Sequence, residues 1–323
     1  MFRLLALVSV LVVCVVACGS ETPSPTAGTD LVWLTAPQNT EQRREVMQRA
    51  RNIDVCALLP RDELGKVGEV TSVKTTDTYT CKAVLDAADP SDGTMVKWQV
   101  LMDPPPQEGV LLPGAVSTLG DVSVRTVIDR GRSGVDPAEL RERTCSLTAT
   151  YPSTAELYLE VVTRPDTDPC PIAQTLLPIG LARWAAEPEP GSSPDTAVTA
   201  LTGQDPCAVV DSLNGATLAE VQLLWNCYFT YQGDDIVVDY KYQLEGSATI
   251  EQPLVFTVAD HPVHLFDGGE GYRTYNSIVG PPLYAGGESS FLGTEVPMVS
   301  VHGTNAAALE DVMRRILESL PKR

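Results

Sequence analysis

The chain has 323 residues, 43% hydrophobic but only 6% aromatic, which is room for two cores of ordinary size built mainly from Val, Leu and Ala. Its formal charge is −19, and Arg3 is the only charged residue before Cys18, so a chain beginning at Cys18 carries −20 (−19 minus the one positive charge). That balance excludes nucleic acid as a partner, because phosphate binding needs clustered Lys and Arg, and it excludes an electrostatic hold on anionic headgroups.

From the N-terminus, Arg3 and the apolar run Leu4 to Val16 read as a short secretory signal, closed by Val15-Val16-Ala17-Cys18. The run is too short to span a bilayer. Residues 1–17 are expected to be removed and Cys18 to carry lipid, since two or more acyl chains on one residue suffice for stable anchoring. Residues 19–30 are small, polar and proline-containing, a tether that cannot pack. Residues 18–51 thus comprise the lipidated cysteine, the tether and a short helix near Gln38 to Arg51, rich in Gln, Glu and Arg and expected to be solvated.

Six cysteines remain for an exported chain: Cys56, Cys81, Cys145, Cys170, Cys207 and Cys227. An even number implies disulfides, formally in any of 15 connectivities. A weak repeat selects among them. Asp54-Val55-Cys56-Ala57-Leu58-Leu59 and Asp205-Pro206-Cys207-Ala208-Val209-Val210 each precede an expected short helix, Pro60 to Val67 and Val209 to Val221. Each then reaches a cysteine in a strand-like run, Cys81 and Cys227. Cys56–Cys81 and Cys207–Cys227 are therefore expected bridges, leaving Cys145 to pair with Cys170. Loops of this length are worth about 3 kcal/mol each in the chain-entropy account.

Period-two alternation marks strands at Val96, Trp98, Val100 and Met102, at Val122, Val124 and Ile128, and at Leu157, Leu159 and Val161. A helical stretch, Ala173 to Ala186, closes the first half. The acidic, proline-rich segment 187–203 reads as a linker. Beyond it, Ile236, Val238, Tyr240 and Tyr242 alternate, Val255 to Val258 and Val296 to Val301 give further strands, and Asn305 to Leu320 is an amphipathic helix with Asn305 as N-cap. The expected fold class is α+β: two tandem small domains, 52–186 and 204–323, each a twisted antiparallel sheet with flanking helices, stapled by disulfides.

The lipobox, the Asp-Pro-Cys-Ala-Leu-Leu type of opening, the second cysteine some twenty residues on, Leu119-Gly120-Asp121 before a strand and the closing helix resemble the actinobacterial DUF3558-type lipoproteins. Val55 stands where that family usually has proline, and the second half has no clear Leu-Gly-Asp. The resemblance covers the chain twice and implies an envelope location and a small α+β domain. At the level of fold alone, the α/β/α sandwich of PsbP-like mycobacterial lipoproteins and the sensor domains of some actinobacterial kinases are similar.

Catalytic chemistry finds little footing. Of the three histidines, His261 and His264 flank Pro262 without an evident third metal ligand, and no CxxC pair or Gly-x-Ser-x-Gly elbow is present. Asp86, Asp89 and Asp92 lack calcium-loop spacing. Asp234, Asp235 and Glu270 are the acidic candidates for a wall hydrolase, but neighbours on a strand face opposite ways. The glycine- and aromatic-rich stretches 266–275 and 280–287 offer Tyr272, Tyr275 and Tyr284 as ligand-binding candidates, with Tyr228, Tyr231, Tyr240 and Tyr242 as possible additions to an aromatic face. The expected role is a non-catalytic binding or assembly module without cofactor or metal, bound to the membrane through its lipid and to an envelope protein or a small ligand. The alternatives are a cell-wall hydrolase and a carrier of apolar lipid, the latter requiring a cavity of roughly 300 Å³ or more.

Overall fold

The computed structural model describes residues 31–87, 92–102, 112–130, 135–136, 139–284 and 294–321. The signal, Cys18 and the tether lie outside the described residues, as do Asp89 and residues 285–293.

Two helices open the described chain, α1 (Leu31–Leu34) and α2 (Thr40–Arg51). Asn39 caps α2, its side chain accepting from the amide of Gln42. A 3₁₀ turn at Cys56–Leu58 and α3 (Arg61–Leu64) lead into strands β1 (Val70–Asp77), β2 (Thr80–Leu85), β3 (Thr94–Met102), β4 (Ala115–Leu119), β5 (Val122–Ile128), β6 (Arg143–Thr150) and β7 (Ala155–Thr163), followed by α4 (Cys170–Trp184). After a 3₁₀ turn at Ala208–Ser212 come β8 (Thr217–Leu218), β9 (Asn226–Tyr231), β10 (Asp234–Leu244), α5 (Glu245–Thr249), β11 (Leu254–Val258), β12 (His261–Gly269), β13 (Tyr272–Ile278), β14 (Glu295–Gly303) and α6 (Ala306–Ser319).

The fold is α+β, with two seven-stranded antiparallel sheets. The first runs β1-β2-β3-β7-β6-β5-β4. The second, read from its other edge, runs β8-β9-β10-β14-β13-β12-β11, which is the same order strand for strand. Each sheet buries one face under its closing helix. Along β3, Thr94, Val96, Trp98, Val100 and Met102 alternate inward as their period predicts, and on α6 Leu309, Val312 and Ile316 pack onto Val299 and Val301. Asn305 caps α6 through its side-chain oxygen, which accepts from Ala307 and Ala308.

Three disulfides join Cys56 to Cys81, Cys145 to Cys170 and Cys207 to Cys227. The first and third tie a 3₁₀ turn to the second strand of each sheet. The bridge to the helix start has no counterpart in the second sheet, and the register says why. Cys81, Trp98 and Leu159 stand in one cross-strand row, as do Cys227, Val238 and Val301. Two residues beyond Leu159 is Val161, opposite Cys145; two beyond Val301 is Gly303, opposite Arg273.

Several local expectations need correction. Residues 38–51 do not form a solvated helix: α2 buries Val46, Met47, Ala50 and Arg51, and Trp33 of α1 is sealed against Tyr151 and Trp184 at centroid distances of 6.2 and 5.2 Å. The apolar residues of α2 are few, but they fall on one side, and its polar residues cover the rest. No helix spans Val209 to Val221. The 3₁₀ turn ends at Ser212, Gly215 takes a φ of +82°, and Thr217 pairs with β9. Ile128 shares the parity of Val122 and Val124 yet is exposed, because it lies at the end of β5.

Segment 187–203 is held along its length. Glu187 accepts from Trp33 Nε1 (2.7 Å) and pairs with Arg49, Asp195 pairs with Arg61, and buried Asp54 receives the amide of Ser193 (2.9 Å) and the hydroxyl of Thr196. Between the sheets, Arg51 is 3% exposed, pairs with Asp205 at 3.1 Å and donates to the carbonyl of Leu224. Among the described residues no helix is long and apolar enough to cross a membrane.

Candidate functional site

The two sheets share strand order and a disulfide register, so their outer faces, turned away from the closing helices, can be compared position by position. On the first sheet the row beside the core reads Lys82–Lys97–Glu160–Ser146–Val127. Lysines opposite a glutamate, half-exposed, make an ordinary solvated face. The same row on the second sheet reads Tyr228–Val237–His302–Thr274–Phe266. The next row reads Thr80–Gln99–Tyr158–Thr148–Arg125 on the first sheet and Asn226–Asp239–Ser300–Asn276–His264 on the second. Charge has been exchanged for rings in the first of these rows, and in the other Asn226, Asp239, Ser300 and Asn276 form a ladder of hydrogen-bonding groups.

At the centre stands His302. Its Nε2 lies 2.8 Å from Asp239 Oδ2 and its Nδ1 2.9 Å from Thr274 Oγ1. In the tautomer with its proton on Nε2, that nitrogen donates to Asp239 and Nδ1 accepts from the Thr274 hydroxyl. Asn226 donates its side-chain amide to the other oxygen of Asp239. Tyr272 stacks on His302 with ring planes 21° apart and centroids 6.3 Å apart. Gly268 makes that placement possible, since a Cβ there would meet Tyr272 Cδ1 at 3.1 Å. Burial, with Asp239 adding to it, raises the phenol pKa of both Tyr228 and Tyr272 above its ordinary value. Lower on the face, Ser300 donates to Asn276 Oδ1 (2.6 Å) and Asn276 to Gln252 Oε1 (3.2 Å), so the ladder is closed by the segment after α5.

Carboxylate, imidazole and hydroxyl are connected in series, from Asp239 through His302 to Thr274. Thr274 is 6% exposed, and its hydroxyl lies against His302 Nδ1. Both ring nitrogens of His302 have partners, which fixes the ring, and Tyr272 and Phe266, 45% and 50% exposed, stand on the same face.

The three tyrosine candidates are not brought together. Tyr272 lies on this face. Tyr275, one residue out of phase, points to the core, where it meets Phe256 edge to face at 5.6 Å. Tyr284 lies at the junction of the sheets, its hydroxyl donating to the carbonyl of Thr75 (3.1 Å). Of the other tyrosines, Tyr231 and Tyr240 line the core and Tyr228 joins the outer face. Asp234 and Asp235 do face opposite ways. Asp235 accepts from Thr230, while Asp234 receives the amides of Thr304 and Asn305, each at 2.8 Å, and the Thr304 hydroxyl at 2.6 Å. Burial pushes Asp234 upward, but these donors outweigh it and hold its carboxyl below the usual range. Among the described residues no group of three His, Cys, Asp or Glu could hold a metal ion. An enclosed hollow at the junction, lined by Arg51, Asp54 and Tyr242, measures about 20 Å³; a depression of about 630 Å³ along α2 is open and lined by Thr40, Glu41, Arg44, Glu45, Gln48 and Asp205.

What sequence reasoning missed is the His302–Asp239–Thr274 assembly, in which Asp239 and His302 lie 35 and 28 residues from Thr274 along the chain (274 − 239 and 302 − 274). Only the strand register brings them together. Comparisons of the chain with protein-family models, with curated proteins and with solved structures find no match in any of the three.

Proposed function

We propose that this chain is an exported lipoprotein, anchored to the outer face of the cell membrane through lipid on Cys18, where it serves as a non-catalytic recognition module. In this reading the sheets belong to tandem copies of one domain, 52–186 and 204–323, of the DUF3558 type. The first copy is the scaffold and the second carries the recognition surface. The signal pattern and lipobox support the address. The shared strand order and the matching 3₁₀-to-strand disulfides support the duplication. The observation that carries the function is the exchange of Lys82, Lys97 and Glu160 for Tyr228, Val237 and His302, with Tyr272 and Phe266 exposed beside them. Exposed rings on a fixed polar frame are characteristic of recognition surfaces.

The test places a photoreactive amino acid at position 272 or at position 97 in the lipidated chain and crosslinks in intact cells. A partner identified by mass spectrometry from 272 and not from 97 is the expected result. Equal capture from both, or nothing above an unrelated lipid-anchored control, would remove the assignment.

A further inference from the structure

The ring row of the second sheet lies in a strongly acidic half of the molecule. Residues 204–323 contain 16 Asp and Glu against 6 Lys and Arg. Two of those six, Arg314 and Arg315, are already paired with Glu310 and Asp311 on α6, on the other side of the sheet. On the outer face the only cation in the two rows and their immediate neighbours is Lys241, 3.9 Å from Asp239. Asp235 stands beside Tyr228 on the same face and is exposed, its carboxylate accepting from the Thr230 hydroxyl. The face thus offers two uncovered aromatic rings, Phe266 and Tyr272, next to a surplus of carboxylate. An exposed ring attracts a cation above its face, and more strongly once water is excluded. The fold already uses such a contact on its helix side, where the Arg314 guanidinium lies 4.5 Å over the Phe256 ring. Polyanions and anionic headgroups are repelled by the same field.

We infer that the outer face of the second sheet docks a basic, extended polypeptide segment of a partner protein, a Lys or Arg side chain seating over Phe266 and Tyr272 in the field of the Asp235 and Asp239 carboxylates. From Tyr228 to Phe266 the row crosses five strands, about 19 Å at the usual strand spacing, so it matches a segment of roughly five or six extended residues. The inference rests on the recognition face proposed above and names what that face takes.

The full lipidated chain in detergent micelles is titrated with a fluorescein-labelled (Gly-Arg)4 peptide, its (Gly-Glu)4 counterpart and uncharged chitotetraose. The variant is Phe266→Ala with Tyr272→Ala, which changes no charge, so attraction by the acidic surface at large is untouched. Circular dichroism confirms folding, and Asp235→Asn serves as a second, milder variant. The expected result is binding of the arginine peptide alone, weakened at least tenfold by the aromatic pair and by a smaller factor in Asp235→Asn. Equal affinity in wild type and aromatic variant overturns the inference, because bulk charge alone would then hold the peptide. Binding of chitotetraose, lost in the same variant, overturns it in favour of a glycan. In either case a partner crosslinked in cells from position 272 leaves the recognition face standing. Crosslinking confined to position 97 removes both.

Discussion

Asp234 and Gly303 make a quantitative test of how the second sheet holds its closing helix without the staple that Cys145–Cys170 supplies in the first. Asp234→Ala leaves the amides of Thr304 and Asn305 and the Thr304 hydroxyl without their acceptor. An unsatisfied buried donor costs about 1–3 kcal/mol; water can reach this rim in part, so the net loss is roughly 2–4 kcal/mol. At a urea dependence of about 2 kcal/mol per molar, the unfolding midpoint should fall by about 1–2 M. Gly303→Ala should cost about 1–3 kcal/mol, because its Cβ would lie 2.5 Å from Asp234 Oδ2 and 3.0 Å from Leu309 Cδ2. With Asp234 already shortened to Ala, the severest of these clashes disappears and only the Leu309 contact, which a side-chain shift relieves, remains strong. Urea titrations of the two single variants and the double variant, followed by near-ultraviolet circular dichroism, should give a coupling of about 1 kcal/mol or more. Strict additivity, or a wild-type midpoint for Asp234→Ala, would refute the clasp.

Asp77 tests the opposite sign. Burial raises its carboxyl above the usual range, against hydrogen bonds from the amides of Thr78 and Tyr242. The folded state therefore favours the protonated form, and stability present at low pH is lost as pH rises through the folded value. Asp77→Asn, which keeps an acceptor for both amides, should be more stable than wild type at pH 7, with the advantage shrinking as pH falls toward the ordinary carboxylate range; thermal melts across pH 3 to 7 check this. Replacing Cys145 and Cys170 together by Ala should lower stability by about 3 kcal/mol in chemical denaturation, since a 25-residue loop is released. Trp33→Ala should cost about 3–5 kcal/mol and leave Glu187 without its indole donor, seen as a fall in midpoint. Cys18→Ser should abolish incorporation of a clickable fatty acid and release the chain from the membrane fraction.

Much of the fold was legible wherever one face of an element is buried. The alternation of β3 and the i, i+3, i+4 spacing of α6 are direct records of a wet side and a dry side, and the repeated Asp-x-Cys openings paired the cysteines correctly. Errors arose where local composition outvoted context. The charged sequence of α2 hid the few apolar residues that seat it, and the apolar run after Cys207 was read as helix because the turn at Asn214-Gly215 and the short pairing of β8 were given no weight. The site was the least legible part. His302, Asp239 and Thr274 belong to three strands, and nothing in the spacing of three such residues reveals that register sets them side by side. Tyr275 and Tyr272 differ by three positions, which on a strand is the difference between core and surface.

The docking of α1 and α2 also fixes a geometry of display. Trp33 is sealed into the first core, so in the proposed anchored form the body begins thirteen residue steps from Cys18 (31 − 18), a contour of at most about 43–47 Å. A body anchored in this way would ride within about that distance of the bilayer. Lipid on Cys18 would thereby set a ceiling on altitude, and a partner of the second sheet's outer face would have to come within the same layer above the membrane.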